Sequence, residues 1–162
     1  MAVEIERKFL TKDASWREGS EGIAYRQGYL CRDKGRTVRV RIAGPKAYVT
    51  IKGPAEGCSR AEFEYPIPTE DAGQLFALCD GPLVEKTRHR VPFGGLVWEV
   101  DEFHGENSGL IVAEVELQSP DQEVPLPPWV GAEVTGDRRY DNSSLSVRPF
   151  SSWQSPSEVT ES

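Results

Sequence analysis

The sequence predicts one mainly β domain whose antiparallel sheet curls or closes on itself. The chain has 162 residues, which is the size of a single domain. Seven segments alternate between apolar and charged residues with period two, as half-buried strands do. Short turns rich in glycine and proline separate them and favour antiparallel neighbours, because a parallel crossover needs about a dozen residues. A sheet with so many strands in so short a chain is expected to curl or close.

The predicted strands follow one another along most of the chain. They are 3–9, 36–42, 47–52, 61–65, 85–91, 96–101 and 111–117. Residues 25–31 form a weaker candidate for an eighth strand, because their alternation is less regular. The turns between them contain Gly-Pro or Gly-Gly pairs, which end strands.

Helical signals are few. Thr69 is predicted to be the N-cap of a helix that has acidic residues in its first turn and ends before Gly81. Residues 12–18 are predicted to hold one or two helical turns, and 137–145 a short helical or turn element. The segment 120–128, which includes Pro125, Pro127 and Pro128, is predicted to be an extended connector. The polar segment 151–162 is predicted to be a flexible tail, so the domain spans 1–150.

Composition excludes several classes of function. A net charge of −7 argues against a general binder of nucleic acid or membrane surfaces, since both need an excess of Lys and Arg. We expect neither a signal peptide nor a membrane-spanning segment, because no apolar run reaches about 18 residues. Cys31, Cys58 and Cys79 are odd in number and lack zinc-ligand spacing, which predicts free thiols in the cytoplasm.

The charges on each predicted strand are mostly of one sign. Residues two apart share a strand face, so Glu4 and Glu6 point the same way, as do Arg39 and Arg41. The simplest interpretation is that such faces meet water. However, all seven strands carry ionic pairs or triplets, whereas solvated faces more often mix Lys with Glu, Thr and Ser. This sorting favours a charged groove inside the curled sheet.

Such an interior suits a polyanion bridged to a divalent metal. Carboxylates are the ligands that Mg²⁺ or Mn²⁺ prefers, while Arg and Lys bind phosphate oxygens. The candidate metal ligands are Glu4, Glu6, Glu62, Glu64, Glu114 and Glu116. The candidate phosphate-binding residues are Arg39, Arg41, Lys52, Lys86 and Arg88. Phosphoryl transfer to water needs mainly positioning and charge neutralisation, and no P-loop or nucleophile motif occurs.

In this order, the charged motifs resemble the CYTH family, the triphosphate tunnel metalloenzymes. The motifs are Glu4-Ile5-Glu6-Arg7-Lys8, Arg39-Val40-Arg41, Thr50-Ile51-Lys52-Gly53, Glu62-Phe63-Glu64, Glu85-Lys86-Thr87-Arg88 and Glu114-Val115-Glu116. The resemblance covers residues 1–150 and is greatest to the short bacterial members of inorganic triphosphatase type. It implies a closed barrel of eight antiparallel strands around a tunnel for triphosphate and a divalent metal, Mg²⁺ or Mn²⁺.

The resemblance also implies roles for particular residues. Glu4, Glu6, Glu114 and Glu116 would be the main metal ligands, with Glu62 and Glu64 lining the tunnel. Lys8 would join the phosphate-binding residues and either assist proton transfer or neutralise the leaving phosphate. Glu6 or Glu116 would orient the attacking water. The segment 138–143 is similar to the plug that closes one tunnel end in relatives.

The implied reaction is hydrolysis of inorganic triphosphate to pyrophosphate and phosphate. The resemblance leaves alternatives open: a class IV adenylate cyclase that forms cyclic AMP, or a thiamine or RNA triphosphatase. No feature marks a pocket for a nucleotide base. Outside enzymes, the alternatives are a phosphate sensor and a structural interaction module. The clustered carboxylates argue against a sensor, because anion binding alone gains nothing from them.

For four charged residues and two histidines, the sequence pattern leaves the role less defined. Arg60 either contacts phosphate or lies at the surface, and Arg90 is predicted at the surface. Glu99 and Asp101 either bind a second metal or balance the basic strands. The histidines, His89 and His104, have no partner at ligand spacing and predict structural roles.

The larger aromatic residues are predicted to pack in the core. Trp98 and Trp129 are the clearest examples. The alternative is that one of them is exposed and pairs two barrels, since the resemblance implies a homodimer.

Overall fold

A computed structural model describes residues 3–153 of the chain. Its strands are β1 (Val3–Thr11), β2 (Gly22–Asp33), β3 (Arg36–Ala43), β4 (Lys46–Lys52), β5 (Ser59–Ile67), β6 (Val84–Phe93), β7 (Leu96–Phe103), β8 (Ile111–Glu116) and β9 (Val130–Glu133). Its α-helices are α1 (Thr69–Leu75) and α2 (Asn142–Leu145). Single 3₁₀ turns lie at Ser15–Arg17, Phe76–Leu78, Gly105–Asn107, Arg138–Tyr140 and Phe150–Ser152.

Eight strands form a closed antiparallel ring. The order is β1-β5-β4-β3-β2-β6-β7-β8, and β8 pairs with β1 again. This confirms the predicted closed eight-stranded fold. The segment that was only a weak candidate, β2, is the longest strand, with 12 residues. The pairing places Lys52 opposite Glu62 and Arg88 opposite Asp101, so the charged faces of neighbouring strands meet inside the ring.

A ninth strand, which the sequence pattern did not predict, shares one edge of β1 with β5. The first three residues of β1 pair with β5. Further along the same edge, β1 pairs with β9 from Phe9 to Thr11. Between these two partners the amide of Glu6 donates to the Cys58 carbonyl at 3.1 Å. The amide of Lys8 donates to the Thr135 hydroxyl at 2.9 Å. The ring wall beside this part of β1 is therefore made of loops.

The helices follow the predictions with one shift at a cap. Helix α1 begins at Thr69, and its N-cap is Pro68, which has extended backbone angles and no side-chain cap. Thr69 is therefore not the N-cap, because the fixed φ of proline already supplies the entry geometry. The predicted turns at 12–18 and 137–145 are present as a 3₁₀ turn and as a 3₁₀ turn followed by α2.

Apolar residues cover the outside of the ring. Trp98 and Trp129 are buried in one outer cluster and meet edge to face, with ring centroids 5.7 Å apart. The predicted core role of both is confirmed, and the alternative that either is exposed to pair two barrels is wrong. Between residues 3 and 153, the helices are all too short or too polar to cross a membrane.

The predicted tail is described only in part. Ser151 and Ser152 lie in the last 3₁₀ turn. The Trp153 ring packs edge to face against Phe150 and Tyr140, with centroids 5.0 and 5.3 Å away. Residues 154–162 of that prediction lie outside the described residues.

Candidate active site

The ring encloses a polar cavity of about 470 Å³. It exists because alternate residues of every strand point inward, where most of them are charged and cannot pack closely against one another. All twelve predicted site residues line it: Glu4, Glu6, Lys8, Arg39, Arg41, Lys52, Glu62, Glu64, Lys86, Arg88, Glu114 and Glu116. The charged faces predicted from the strand pattern therefore form one site.

One wall of the cavity is acidic. Glu6 on β1 lies directly opposite Glu116 on β8, and Glu114 lies opposite Glu99 on β7. Burial raises the pKa of Glu6 well above its usual range, and the charges of Glu114 and Glu4 raise it further. Burial likewise raises the pKa of Glu116. These carboxylates lack full counter-charges.

Lys8 stands within the acidic wall. Its Nζ lies 3.0 Å from Asp141, 3.8 Å from Glu114 and 3.9 Å from Glu6. Burial would lower the pKa of Lys8, but these carboxylates outweigh burial and raise it. Lys8 therefore keeps its proton at neutral pH.

Lys52 bridges two more carboxylates. Its Nζ lies 3.0 Å from Glu4 and 3.7 Å from Glu62. Burial would raise the pKa of Glu4, but the charge and hydrogen bond of Lys52 more than offset burial and lower it. Glu62 is less well compensated, because burial and the Glu4 charge raise its pKa.

The carboxylates suit a divalent cation by their chemistry. Within residues 3–153, no three acidic, histidine or cysteine side chains converge closely enough to share one metal ion. Lys8 and Lys52 stand between the carboxylates instead. The donors are nevertheless all oxygens, which Mg²⁺ and Mn²⁺ prefer. A cation would relieve the repulsion that raises the pKa of Glu6.

The opposite wall is basic. Arg39 donates to Thr50 at 3.1 Å and lies 3.5 Å from Glu64. Arg41, which is 9% exposed, donates through Nε to Gln27 at 2.9 Å. None of the carboxylates described lies within 4 Å of its guanidinium. Burial lowers the pKa of Arg41 to about 9, with Arg39 and Arg88 adding to the effect. Among residues 3–153, Arg41 is therefore a buried cation without a carboxylate in direct contact.

Lys86 and Arg88 share one buried carboxylate. Asp101 accepts from Lys86 Nζ at 2.7 Å and from Arg88 Nε and Nη2 at 2.8 and 2.9 Å. Burial lowers the pKa of Lys86 to about 7, with Arg88 and Arg41 adding to this and Asp101 opposing it. Both carboxylate oxygens of Asp101 are therefore occupied. Of its two predicted roles, the structure favours balancing the basic strands over binding a second metal.

Several cavity residues were missed because they are not charged or lie outside the strands. The ring of Tyr25 on β2 lies 4.8 Å from Arg41, 4.9 Å from Arg88 and 5.8 Å from Lys86. Asn142 at the start of α2 accepts from Lys86 at 2.7 Å. The alternation at residues 25, 27 and 29 of β2 indicates, though weakly, that Tyr25 points inward. Asn142 belongs to the segment 138–143, whose similarity to a tunnel plug is the feature of the sequence that points to it.

The residues with open interpretations take different positions. Arg60 and Arg90 both line the cavity, and Arg90 lies at its rim, where it is 61% exposed and 3.3 Å from Glu99. The surface position predicted for Arg90 is confirmed. His89 contacts the Ser20 hydroxyl at 3.1 Å and His104 contacts Thr87 at 2.7 Å, both on the outside of the ring.

Comparison with known proteins identifies a family. The CYTH domain profile matches residues 2–148. An inorganic triphosphatase of Acetivibrio thermocellus is 44% identical over 155 residues, covering 95% of this chain and 99% of that protein. An inorganic triphosphatase of Nitrosomonas europaea is 39% identical over 150 residues, covering 89% of this chain and 97% of that protein. A crystal structure of an inorganic triphosphatase superposes with a TM-score of 0.66 at 35% identity, covering 88% of this chain and 97% of that one.

Proposed function

This chain belongs to the CYTH family, and from that premise we propose that it hydrolyses inorganic triphosphate to pyrophosphate and phosphate with Mg²⁺ or Mn²⁺. The names of both curated relatives support this substrate. The observation that carries the proposal is the arrangement of unbalanced charge inside one cavity. Among the described residues, Arg41 is buried on one wall without a carboxylate within 4 Å. On the other wall, Glu6 is repelled by Glu114 and Glu4, and Glu116 is repelled by several carboxylates, Glu4 first among them. A polyphosphate and a cation bound together would neutralise both walls.

The basic wall would bind and orient the substrate. Arg39 and Arg41 lie side by side on β3, and their guanidinium groups can each bind two phosphate oxygens. Lys52 lies at the far end of β4, near Glu4 and Glu62. Lys86 and Arg88 lie across Tyr25 from Arg41 and add charge from β6. These side chains are held by neighbours before substrate arrives, so little reorganisation is needed.

Glu4, Glu6, Glu114 and Glu116 would hold the metal ion, with Glu62 and Glu64 lining the other side. When bound, the ion would neutralise phosphate oxygens and polarise the phosphorus. The attacking water would form the new bond to the terminal phosphorus as the bridging P–O bond breaks. Glu6 or Glu116 would orient that water and accept its proton.

Lys8 would act on the leaving group. Because neighbouring carboxylates keep Lys8 protonated, it is suited to neutralise or protonate the pyrophosphate oxygen rather than to take a proton from water. Its contact with Asp141 orients the ammonium group from the segment before α2.

The proposal includes the location and the assembly of the protein. We place the reaction in the cytoplasm, and the three free thiols support a reducing compartment. A homodimer remains part of the proposal, to be measured by light scattering. We expect no nucleic-acid or membrane partner, given the net charge of −7.

The first test is phosphate release from triphosphate, ATP, pyrophosphate and thiamine triphosphate, each with Mg²⁺, Mn²⁺ or EDTA. We expect metal-dependent release from triphosphate. Cyclic AMP and pyrophosphate formed from ATP would make the protein a class IV-type adenylate cyclase instead. Binding of triphosphate without turnover would indicate a sensor.

The variant that tests the acidic wall of the cavity is Glu6→Gln. It preserves the shape of the side chain but removes a metal-ligating charge and the proton acceptor. We expect at least a hundredfold loss of kcat with triphosphate affinity reduced less than about fivefold, since general acid–base groups contribute about 10²–10⁴. Glu21→Gln, at an exposed position outside the cavity, is the control. Wild-type turnover in Glu6→Gln would contradict the assigned role.

A further inference from the structure

A second opening reaches the acidic wall through the side of the ring. It is a cavity of about 260 Å³ between the β4–β5 loop and the segment that follows β9. Glu4, Glu6 and Lys8 form its inner wall, and Cys58, Arg60, Thr135 and Arg138 are among the residues of its outer part. We call this cavity the side opening. It exists because β1 passes from β5 to β9 and has only loops beside it at Glu6 and Lys8.

The outer part of the side opening carries two arginines whose charges are not balanced. Arg60 donates through Nε to the Gly53 carbonyl at 3.0 Å and through Nη2 to the Gly35 carbonyl at 3.2 Å. Arg138 approaches the same β2–β3 turn, its Nη2 lying 3.6 Å from the position that a Cβ at Gly35 would take. Over the described part of the chain, neither arginine forms an ion pair with a carboxylate within 4 Å.

This situation differs from that of most cations in the main cavity. Lys8, Lys52 and Arg88 each have a carboxylate within 4 Å. Two guanidinium groups near one turn repel each other unless an anion lies between them. Their forked donors fit the oxygens of a phosphate group. Arg60 also lines the main cavity, so it connects the two spaces.

We propose that Arg60 and Arg138 form a second site for a phosphate group, separate from the phosphate-binding wall at Arg39 and Arg41. The proposal extends the proposed triphosphatase function. The phosphate group has two sources: orthophosphate that leaves after hydrolysis, or the far end of a polyphosphate longer than three units. In the first case the orthophosphate would pass Lys8 and reach the solvent through the side opening rather than return past the bound pyrophosphate. In the second case the end of the bound chain would extend past Lys8 into the side opening.

The test uses binding of inorganic phosphate to the full chain, measured by calorimetry without metal or triphosphate. Arg41→Gln removes a buried cation of the main cavity that has no carboxylate within 4 Å among the described residues, and in this variant we expect phosphate binding to persist. Adding Arg138→Gln should weaken it about tenfold, as expected for the loss of a charge-assisted contact. Arg60→Gln in the same background should have a similar effect and is the second variant.

Arg139→Gln is the matched control, because Arg139 neighbours Arg138 but pairs with Asp137 at 2.7 Å on the surface. It should change the phosphate dissociation constant less than twofold. An equal loss in the control, or no loss in the Arg41→Gln, Arg138→Gln variant, would overturn the proposal. Because phosphate binding is measured without turnover, the second site can be confirmed or refuted even if the protein does not hydrolyse triphosphate.

Two kinetic arms distinguish the source of the phosphate group. If the site holds the released product, Arg138→Gln should raise the inhibition constant of orthophosphate about tenfold while the KM for triphosphate changes less than twofold. If it holds the end of a longer chain, the same variant should lower kcat/KM for longer polyphosphates and spare triphosphate. Either result supports the site, and no change in both arms would refute its part in the reaction.

Discussion

Asp101→Asn should be among the most destabilising single changes in the inner face of the ring. Asp101 is 1% exposed and accepts three hydrogen bonds from Lys86 and Arg88, at 2.7, 2.8 and 2.9 Å. Asparagine removes the charge and leaves Lys86 and Arg88 buried beside Arg41, which has no carboxylate within 4 Å in the described part of the chain. Breaking a buried ion pair in this way costs about 3–5 kcal/mol. For a domain of this size, that loss lowers Tm by about 10 °C.

The free energy of unfolding should be measured by urea titration at pH 7, with calorimetry for Tm. Asp137→Asn is the control, because it also removes a carboxylate 2.7 Å from an arginine, but Arg139 is 63% exposed. We expect the control to lose less than about 1 kcal/mol. If Asp101→Asn loses no more than the control, Asp101 is not the counter-charge that holds Lys86 and Arg88.

The dependence of this effect on pH follows from the direction of the pKa shift. Burial would raise the pKa of Asp101, but Arg88 and Lys86 outweigh burial and lower it below the ordinary 3.8. A lowered pKa contributes stability that is complete above the unfolded value and is lost as pH falls through the folded value. The Asp101 contribution to the difference between wild type and Asp101→Asn should therefore narrow as the pH falls below about 4, where the carboxyl of the unfolded chain takes up its proton. The comparison is made in that range because Lys86, with a pKa of about 7, itself titrates between pH 5 and 8. A difference that grows as the pH falls below about 4 would contradict the assigned shift.

Two further substitutions test other parts of the ring. Tyr25→Leu should raise the KM for triphosphate about tenfold, because Arg41 and Arg88 lose an aromatic ring that lies within 5 Å of both. Tyr25→Phe keeps the ring and is the control, so its KM should stay within about twofold of the wild-type value. Equal effects of Leu and Phe would show that the hydroxyl, not the ring, matters. Gly28→Ala should cost about 1–3 kcal/mol in urea unfolding, because the new Cβ would lie 2.6 Å from Leu83 and 2.7 Å from the Cys79 sulfur. Gly73→Ala, which has open space within α1, is the control and should be neutral or stabilising. A Gly28→Ala protein as stable as wild type would mean that the side chains of Cys79 and Leu83, in the segment before β6, can move away from β2.

The strand pattern predicted the chemistry of the cavity better than it predicted the strands themselves. Charges two residues apart must share a face, and this local rule correctly grouped Glu4 with Glu6 and Arg39 with Arg41. The same rule gave only a weak signal for β2, because its inward residues Tyr25, Gln27 and Tyr29 carry no charge. It did not reveal β9, whose four residues are too few to establish a period.

The sequence by itself therefore determined that a closed, charged interior exists and which side chains line it, since side-chain direction along a strand depends only on neighbours in the chain. Only the tertiary structure decided which charges meet. Three features depend on the register between strands: the pairing of Asp101 with Lys86 and Arg88, the burial of Trp98 against Trp129, and the side opening beside Lys8. Register is set by the closure of the whole ring, and contacts across it join residues far apart in sequence.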